Sequence, residues 1–197
     1  HLTGGVEDPV VRLKILHDWV CEYVYADQPA RQGEYAPPIG PFEVLRTRRA
    51  LCAGQVRLLQ YLAHAAGIGV RYIEGAVKYA DYAGPADLEN HAWAMVRVNG
   101  ELRFIEQAWD GANVFTAGRE WAAYARHSGW FLVEDDVLRV DHLPFKAAYS
   151  SSGTDMSLED FLVAPYLPDD NRGGSSVLGC FHDAGYSLEG PLPSVIE

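Results

Sequence analysis

The sequence predicts an α+β fold on three observations. Residues 8–25 and 55–66 each carry an apolar stripe at helical spacing. Three strand-like runs, 70–77, 91–98 and 102–108, follow one another after the second helix. Asn99-Gly100 joins the last two of these, and it is the strongest short hairpin signal in the chain. The region between the first helix and the strands is organised around Arg49-Ala50-Leu51-Cys52-Ala53-Gly54-Gln55, which puts a cysteine where extended residues give way to a helix.

Each element has a local cause. Asp8 is an N-cap and Pro9 suits the first helical position. Val10, Leu13, Leu16, Val20, Cys21 and Val24 then form one face of a helix to about Tyr25. Cys21 lies on that stripe and reads as a core residue. Gln28 to Pro41 is rich in Pro and Gly and reads as a loop, the kind of segment that often carries function. Pro41 opens a short helix over Phe42 to Arg48. Arg46, Arg48 and Arg49 are read as a solvated basic face or, alternatively, as a positive field beside Cys52.

The second helix carries Val56, Leu59, Leu62, Ala63 and Ala66 on its apolar face and stops at Gly67. Tyr79 to Glu89 is a loop with Gly84-Pro85 as its turn. Gly118 to Ser128 is predicted helical around Trp121, Tyr124 and Ala125, and Trp130 to Val133 is a short strand. From Ser150 the composition turns to Ser, Gly, Pro and Asp, with only Leu158 to Val163 regular. The expected organisation is therefore a core at 1–149 and a partly irregular C-terminal extension at 150–197, which limited proteolysis should cut first within Asp169 to Ser176.

Composition narrows the function. The chain of 197 residues has a formal charge of -11, which argues against a nucleic-acid backbone as partner. No apolar run approaches membrane-spanning length and no signal-peptide pattern opens the chain, so a soluble protein with no membrane partner is expected. The first residue is His1 and not Met, which leaves open whether the chain is an expressed fragment, a processed product or a piece of something longer. Compartment and oligomeric state stay open. Cys21, Cys52 and Cys180 are an odd number at wide spacings, matching neither a disulfide framework nor a metal motif. No cofactor and no metal is expected.

The hairpin carries the chemistry. A two-residue turn at Asn99-Gly100 pairs Val98 with Glu101, Trp93 with Glu106 and His91 with Ala108. Alternation puts His91 and Trp93 on one side of their strand, so Glu106 shares a face with His91 one diagonal step away, about 7–8 Å. A thiol nucleophile needs a base, and the base needs a partner that fixes its tautomer. Cys52 in a first helical turn meets the positive end of the helix dipole, which favours thiolate. Cys52 is thus the candidate nucleophile, His91 the base and later the acid, and Glu106 the orienting carboxylate, with Asp110 as fallback. The Cys52 backbone N–H is a candidate oxyanion donor, with Gln32 and Tyr35 as candidates for the second. His64 and His127 read as ordinary helix residues.

At these residues the chain resembles the transglutaminase-like superfamily of cysteine enzymes. The resemblance rests on Arg49-Ala50-Leu51-Cys52-Ala53-Gly54, Ala66-Gly67-Ile68, Glu74-Gly75, His91-Ala92-Trp93 and Phe104-Ile105-Glu106-Gln107-Ala108-Trp109, with His17-Asp18-Trp19 in the opening helix. It covers roughly Val10 to Pro144. Trp130-Phe131-Leu132 and His142-Leu143-Pro144, and more weakly Met156 to Pro165, are similar to the kyphoscoliosis-peptidase-like branch. The resemblance implies a papain-like core, with the cysteine-bearing helix packed on an antiparallel sheet. It also implies acyl transfer through a Cys52 thioester to water, as in a protease acting on protein or peptide, or to an amine, as in a transglutaminase. The family's usual carboxylate is Asp where this chain has Glu106, whose extra methylene must fold back or push the strands apart. Two other readings stay open: a non-catalytic protein-binding module on the same fold, and an effector or toxin module of a larger chain.

Overall fold

The computed structural model describes residues 2–79, 88–111, 113–116, 118–122, 129–146, 149 and 156–164. In chain order the elements are α1 (Pro9–Tyr23), β1 (Tyr25–Asp27), α2 (Gln28–Arg31), α3 (Pro41–Thr47), β2 (Arg49–Ala50), α4 (Cys52–Ala65), β3 (Val70–Val77), β4 (Glu89–Val98), β5 (Glu101–Ile105), α5 (Gln107–Asp110), β6 (Asn113–Thr116), β7 (Arg119–Ala122), β8 (Phe131–Val133), α6 (Asp135–Leu138), β9 (His142–Pro144) and α7 (Leu158–Val163). The fold is α+β, as the sequence predicts. Among the described residues no helix is long and apolar enough to cross a membrane. The chain divides into two compact units. One comprises His1–Tyr72 and Ala92–Leu132; the other comprises Ile73–His91 and Val133–Glu197.

The first unit begins as its sequence dictates. The Asp8 carboxylate accepts from the N–H groups of Val10 and Val11 at 2.7 and 3.1 Å, and Pro9 takes the first helical position. Leu13, Leu16, Val20 and Cys21 are buried along the predicted stripe. The cysteine-bearing helix α4 ends in a Schellman motif at Gly67, which sits at φ 75°. There the Ile68 N–H donates to Ala63 O and the Gly67 N–H to His64 O. Val56, Leu58, Leu59 and Ala63 of α4 pack with Leu13, Leu16 and Val20 of α1 and with Val70, Ala92, Ala94, Val96 and Ile105 of the strands. The helix thus lies on an antiparallel sheet, in which β4 pairs with β5 from Val98↔Glu101 to Ala94↔Ile105. Asn99 and Gly100 turn the hairpin with φ of 53° and 87°, the mirror-image turn that matches strand twist.

Several elements depart from the sequence reading. The segment predicted as a loop opens with α2, capped by Asp27. The third strand ends at Ile105, because Glu106 caps the helical turn α5, so Ala108 pairs with no strand residue. Arg119–Ala122 is a strand where a helix is predicted, since β7 pairs antiparallel with β6 after a turn that has Gly118 at φ 73°. The rest of that predicted helix lies outside the described residues. So do Gly84-Pro85, Cys180 and, apart from residues 156–164, the C-terminal extension. A four-stranded sheet in the order β2-β1-β6-β7 has no counterpart in the sequence reading. Its β1 pairs parallel with both β2 and β6.

Gly54 explains the spacing around the cysteine. A Cβ placed there would collide with Pro38 O and lie 2.7 Å from the Ala50 Cβ and 3.2 Å from a Val44 methyl. Only glycine lets these groups close on the first turns of α4. Gly54→Ala should therefore lower stability by roughly 1–3 kcal/mol through overpacking. The check is a lower urea midpoint at unchanged m-value; an unchanged midpoint would mean that the residues around Pro38 move aside at no cost.

In the second unit β3 pairs antiparallel with β9 through Gly75↔Pro144, Ala76↔Leu143 and Val77↔His142. Helix α7 is capped by Ser157, whose hydroxyl accepts from the Asp160 N–H at 3.0 Å. Its C-terminal end is held by the fully buried Lys78, whose ammonium donates to Phe161 O and, at 2.5 Å, to Ala164 O. Burial pulls the Lys78 pKa down to about 8, and the Asp141 charge partly offsets that pull. The folded pKa is thus depressed below the ordinary Lys value. Between about pH 8 and pH 10.5 the unfolded chain binds more protons at this group, so its contribution makes folding more favourable as pH rises. A neutral amine still has two N–H groups for the two carbonyls. Urea midpoints measured relative to Lys78→Met should rise from pH 8 to pH 10; a falling difference would contradict the burial.

Candidate functional site

Cys52 is the first residue of α4. Its N-cap, Leu51, is extended (φ -89°, ψ -177°) and offers no side chain to the first turn. The thiol is half-buried, whereas the Cys21 thiol is 2% exposed and donates to Gln107 O at 3.6 Å. A helix of 14 residues with no capping side chain presents its first N–H groups and its positive dipole end beside Sγ. The neighbouring arginines are engaged with aromatic rings. Arg48 lies over Tyr23 and Tyr25 and pairs with Glu120 at 3.4 Å, and Arg49 lies 4.1 Å over Phe115.

Glu106 follows β5 directly and is fully buried. Its N–H donates to Trp130 O at 2.9 Å, and its Oε1 accepts from the Ala108 N–H at 2.8 Å. The extra methylene of Glu is thus taken up by folding the carboxylate back over the start of α5. Trp109, three residues on, packs edge-to-face against Trp130 with ring centroids 4.8 Å apart.

Asp110 ends α5, also fully buried, and the structure brings it to a different histidine. Its Oδ2 lies 3.2 Å from His17 Nε2 and its Oδ1 accepts from the Trp130 N–H at 3.2 Å. His17 also meets Asp18 Oδ1 at 3.0 Å and Cys21 Sγ at 3.5 Å. The sequence reading misses this cluster. Its one signal is a pair of polar-capable residues, His17 and Cys21, one turn apart on a buried helix face.

The Tyr35 hydroxyl donates to Asp27 Oδ1 at 2.6 Å, and that hydrogen bond, ahead of burial, raises the phenol pKa. Its single proton is thereby committed. Gln32, at the C-terminal end of α2, is exposed. His64 is exposed in the last turn of α4. His127 lies outside the described residues.

In the second unit His91 stands near the start of β4, 6% exposed, two residues before Trp93 and so on the same side of that strand. Its ring centroid is 5.6 Å from that of His142, which the sequence reading treats only as part of a closing segment. A nitrogen of each ring lies within 4.8 Å of the other. His142 Nδ1 is 2.5 Å from Asp141 Oδ1, and both side chains are fully buried. Two imidazoles at that separation are also part of what a metal site needs, so the absence of a metal stays an expectation.

A family model described as the transglutaminase-like superfamily matches residues 1–133, well over half of the chain, and the chain belongs to that superfamily. Members of this superfamily are typically cysteine-dependent acyltransferases or proteases. No curated protein matches the chain. Solved structures similar to it include these two. One is a TGase, 18% identical, with a TM-score of 0.38 and 48% of this chain matched to 25% of that one. The other is an arylamine N-acetyltransferase from Bacillus cereus described as having a Cys-His-Glu catalytic triad. It is 14% identical, with a TM-score of 0.41 and 60% of this chain matched to 53% of that one. The chain thus spans about a quarter and about half of these two proteins. Neither likeness is close enough to bear on the roles of individual residues.

Proposed function

We propose that the protein is a cysteine-dependent acyltransferase or protease of the kyphoscoliosis-peptidase-like branch, working on protein or peptide substrates through a thioester on Cys52. The observation that carries this reading is the half-exposed thiol at the uncapped start of α4, within a chain of the superfamily. The Cys52 sulfur attacks the substrate carbonyl while His91 takes the thiol proton. The oxyanion of the tetrahedral intermediate draws on the Cys52 N–H and the helix dipole, with Gln32 as candidate second donor. The intermediate collapses to the thioester, and His91 returns its proton to the leaving amine. Water then yields an acid, or an amine yields a new amide, and the thiol is released.

Glu106 is assigned as the orienting carboxylate. The hairpin register supports this, since β4 and β5 pair through Ala94↔Ile105, which carries Trp93 and Glu106 to the next opposed position. Glu106→Gln keeps the size but removes the charge that supports an imidazolium, and should lower turnover sharply, by roughly 100-fold or more. Glu106→Asp tests the reach. An Asp there can still cap Ala108, as Asp8 caps Val10, but it reaches one methylene less far. Glu106→Asp should fall below wild type if the strands are spaced for Glu and be tolerated if they are not. A silent Glu106→Gln combined with a crippling Asp110→Asn would transfer the role to Asp110. Steady-state rates on a p-nitrophenyl ester and on a glutamine-containing peptide read these variants, and the second substrate, with and without added amines, reads the acceptor.

A further inference from the structure

We propose that Asp141 and His142 form a second carboxylate–imidazole pair, which positions the ring of His91. This rests on the reading of His91 as the base, and deepens it. The residues that carry it lie together in the second unit. Asp141 Oδ1 meets His142 Nδ1 at 2.5 Å, and neither side chain is exposed. The His142 ring meets that of His91 at a tilt of 56° and a centroid separation of 5.6 Å.

A buried carboxylate is costly unless it is paired. Asp141 is held in two further ways: its backbone O accepts from the Lys78 N–H at 2.9 Å, and its charge acts on the Lys78 ammonium. Lys78, Asp141, His142 and His91 thus form a polar row through an otherwise apolar stretch where β3 meets β9. Packing alone does not require such a row, because apolar residues of similar volume would fill the same space more cheaply.

The row gives His91 a fixed wall. The carboxylate accepts a hydrogen bond from His142 Nδ1–H and so sets both the tautomer and the rotation of that ring. His91 sits near a strand end, after the exposed Glu89 and Asn90, and the His142 ring packs against it from β9. The tilted His142 ring limits how far the His91 ring can turn. A base whose ring wanders still lets substrate bind but attacks the thiol proton less often, so losing the brace lowers kcat and spares KM.

The experiment is nitrogen NMR of the histidine rings in the full chain, at one fixed pH, for wild type, Asp141→Asn, His142→Gln and His142→Ala. The His91 signals are identified by their loss in His91→Ala. In wild type they should show one tautomer with sharp lines. In Asp141→Asn and His142→Ala they should broaden and shift as the ring gains motion, with His142→Gln lying between. Turnover per folded molecule should fall roughly 10- to 100-fold with KM little changed. Unchanged His91 signals in folded Asp141→Asn would overturn the proposal, whatever the activity does. Asp141→Asn is nearly isosteric and decides the matter if His142→Ala fails to fold. Should the His91 signals respond while Cys52→Ala leaves turnover intact, the brace stands and the thioester reading falls.

Discussion

Cys52→Ala should abolish turnover, with a loss of roughly 10⁴-fold or more, while the protein stays folded. In the proposed route the sulfur is the only atom of the protein that bonds to substrate, so no neighbour can stand in for it. Cys21 cannot substitute, since its thiol is buried on α1 and hydrogen-bonded to Gln107 O. Alanine suits the first position of α4, and Cys52 only borders the core cluster, so folding should survive. Ester hydrolysis and a thermal melt measured on the same sample check both halves. Turnover within 10-fold of wild type from a folded Cys52→Ala protein would mean that another group does the chemistry and would remove Cys52 as the nucleophile.

His91→Ala should lower kcat/KM by roughly 100-fold or more, the usual worth of a positioned general base. The control is His64→Ala. His64 is exposed in the last turn of α4, at the end opposite Cys52, and its removal should cost nothing beyond error. A His91→Ala loss no larger than the His64→Ala loss would remove His91 from the mechanism. Because His91 is nearly buried and faces His142, a parallel stability measurement separates a chemical loss from a packing loss.

What the sequence makes legible here is local. Asp8-Pro9 declares the start of α1, Gly67 declares the stop of α4, and Asn99-Gly100 fixes the hairpin register, because each rests on contacts within a few residues. The α4 packing also follows from its own 3.6-residue pattern. Non-local pairing is where the reading stops. In the second sheet β1 joins β2 through Ala26↔Ala50 and β6 through Ala26↔Val114. Strands this short leave no period to detect. The Trp121, Tyr124 and Ala125 spacing suggests a helix, but pairing with β6 makes residues 119–122 a strand.

The same division runs through the site. Cys52 is a candidate because a helix start is a local event, and Glu106 because a hairpin register can be counted. The Asp110–His17 contact needs α5 to fold back on α1, and the approach of His142 to His91 needs β9 to pair with β3. Neither pairing leaves a mark in the spacing of residues. The role of Glu106 as a helix cap is a further case, since the strand pattern through Phe104 and Ile105 gives no sign of stopping one residue later.

Intact-mass analysis after a short incubation with an activated acyl ester tests the central claim most directly. Wild type should gain the mass of one acyl group, peptide mapping should place it on Cys52, and the adduct should be lost by hydrolysis in the buffer or faster when an amine is added. Cys52→Ala should gain nothing under the same conditions. An adduct on Cys21, on Cys180 or on a lysine, or an equal adduct on the Cys52→Ala protein, would contradict the account.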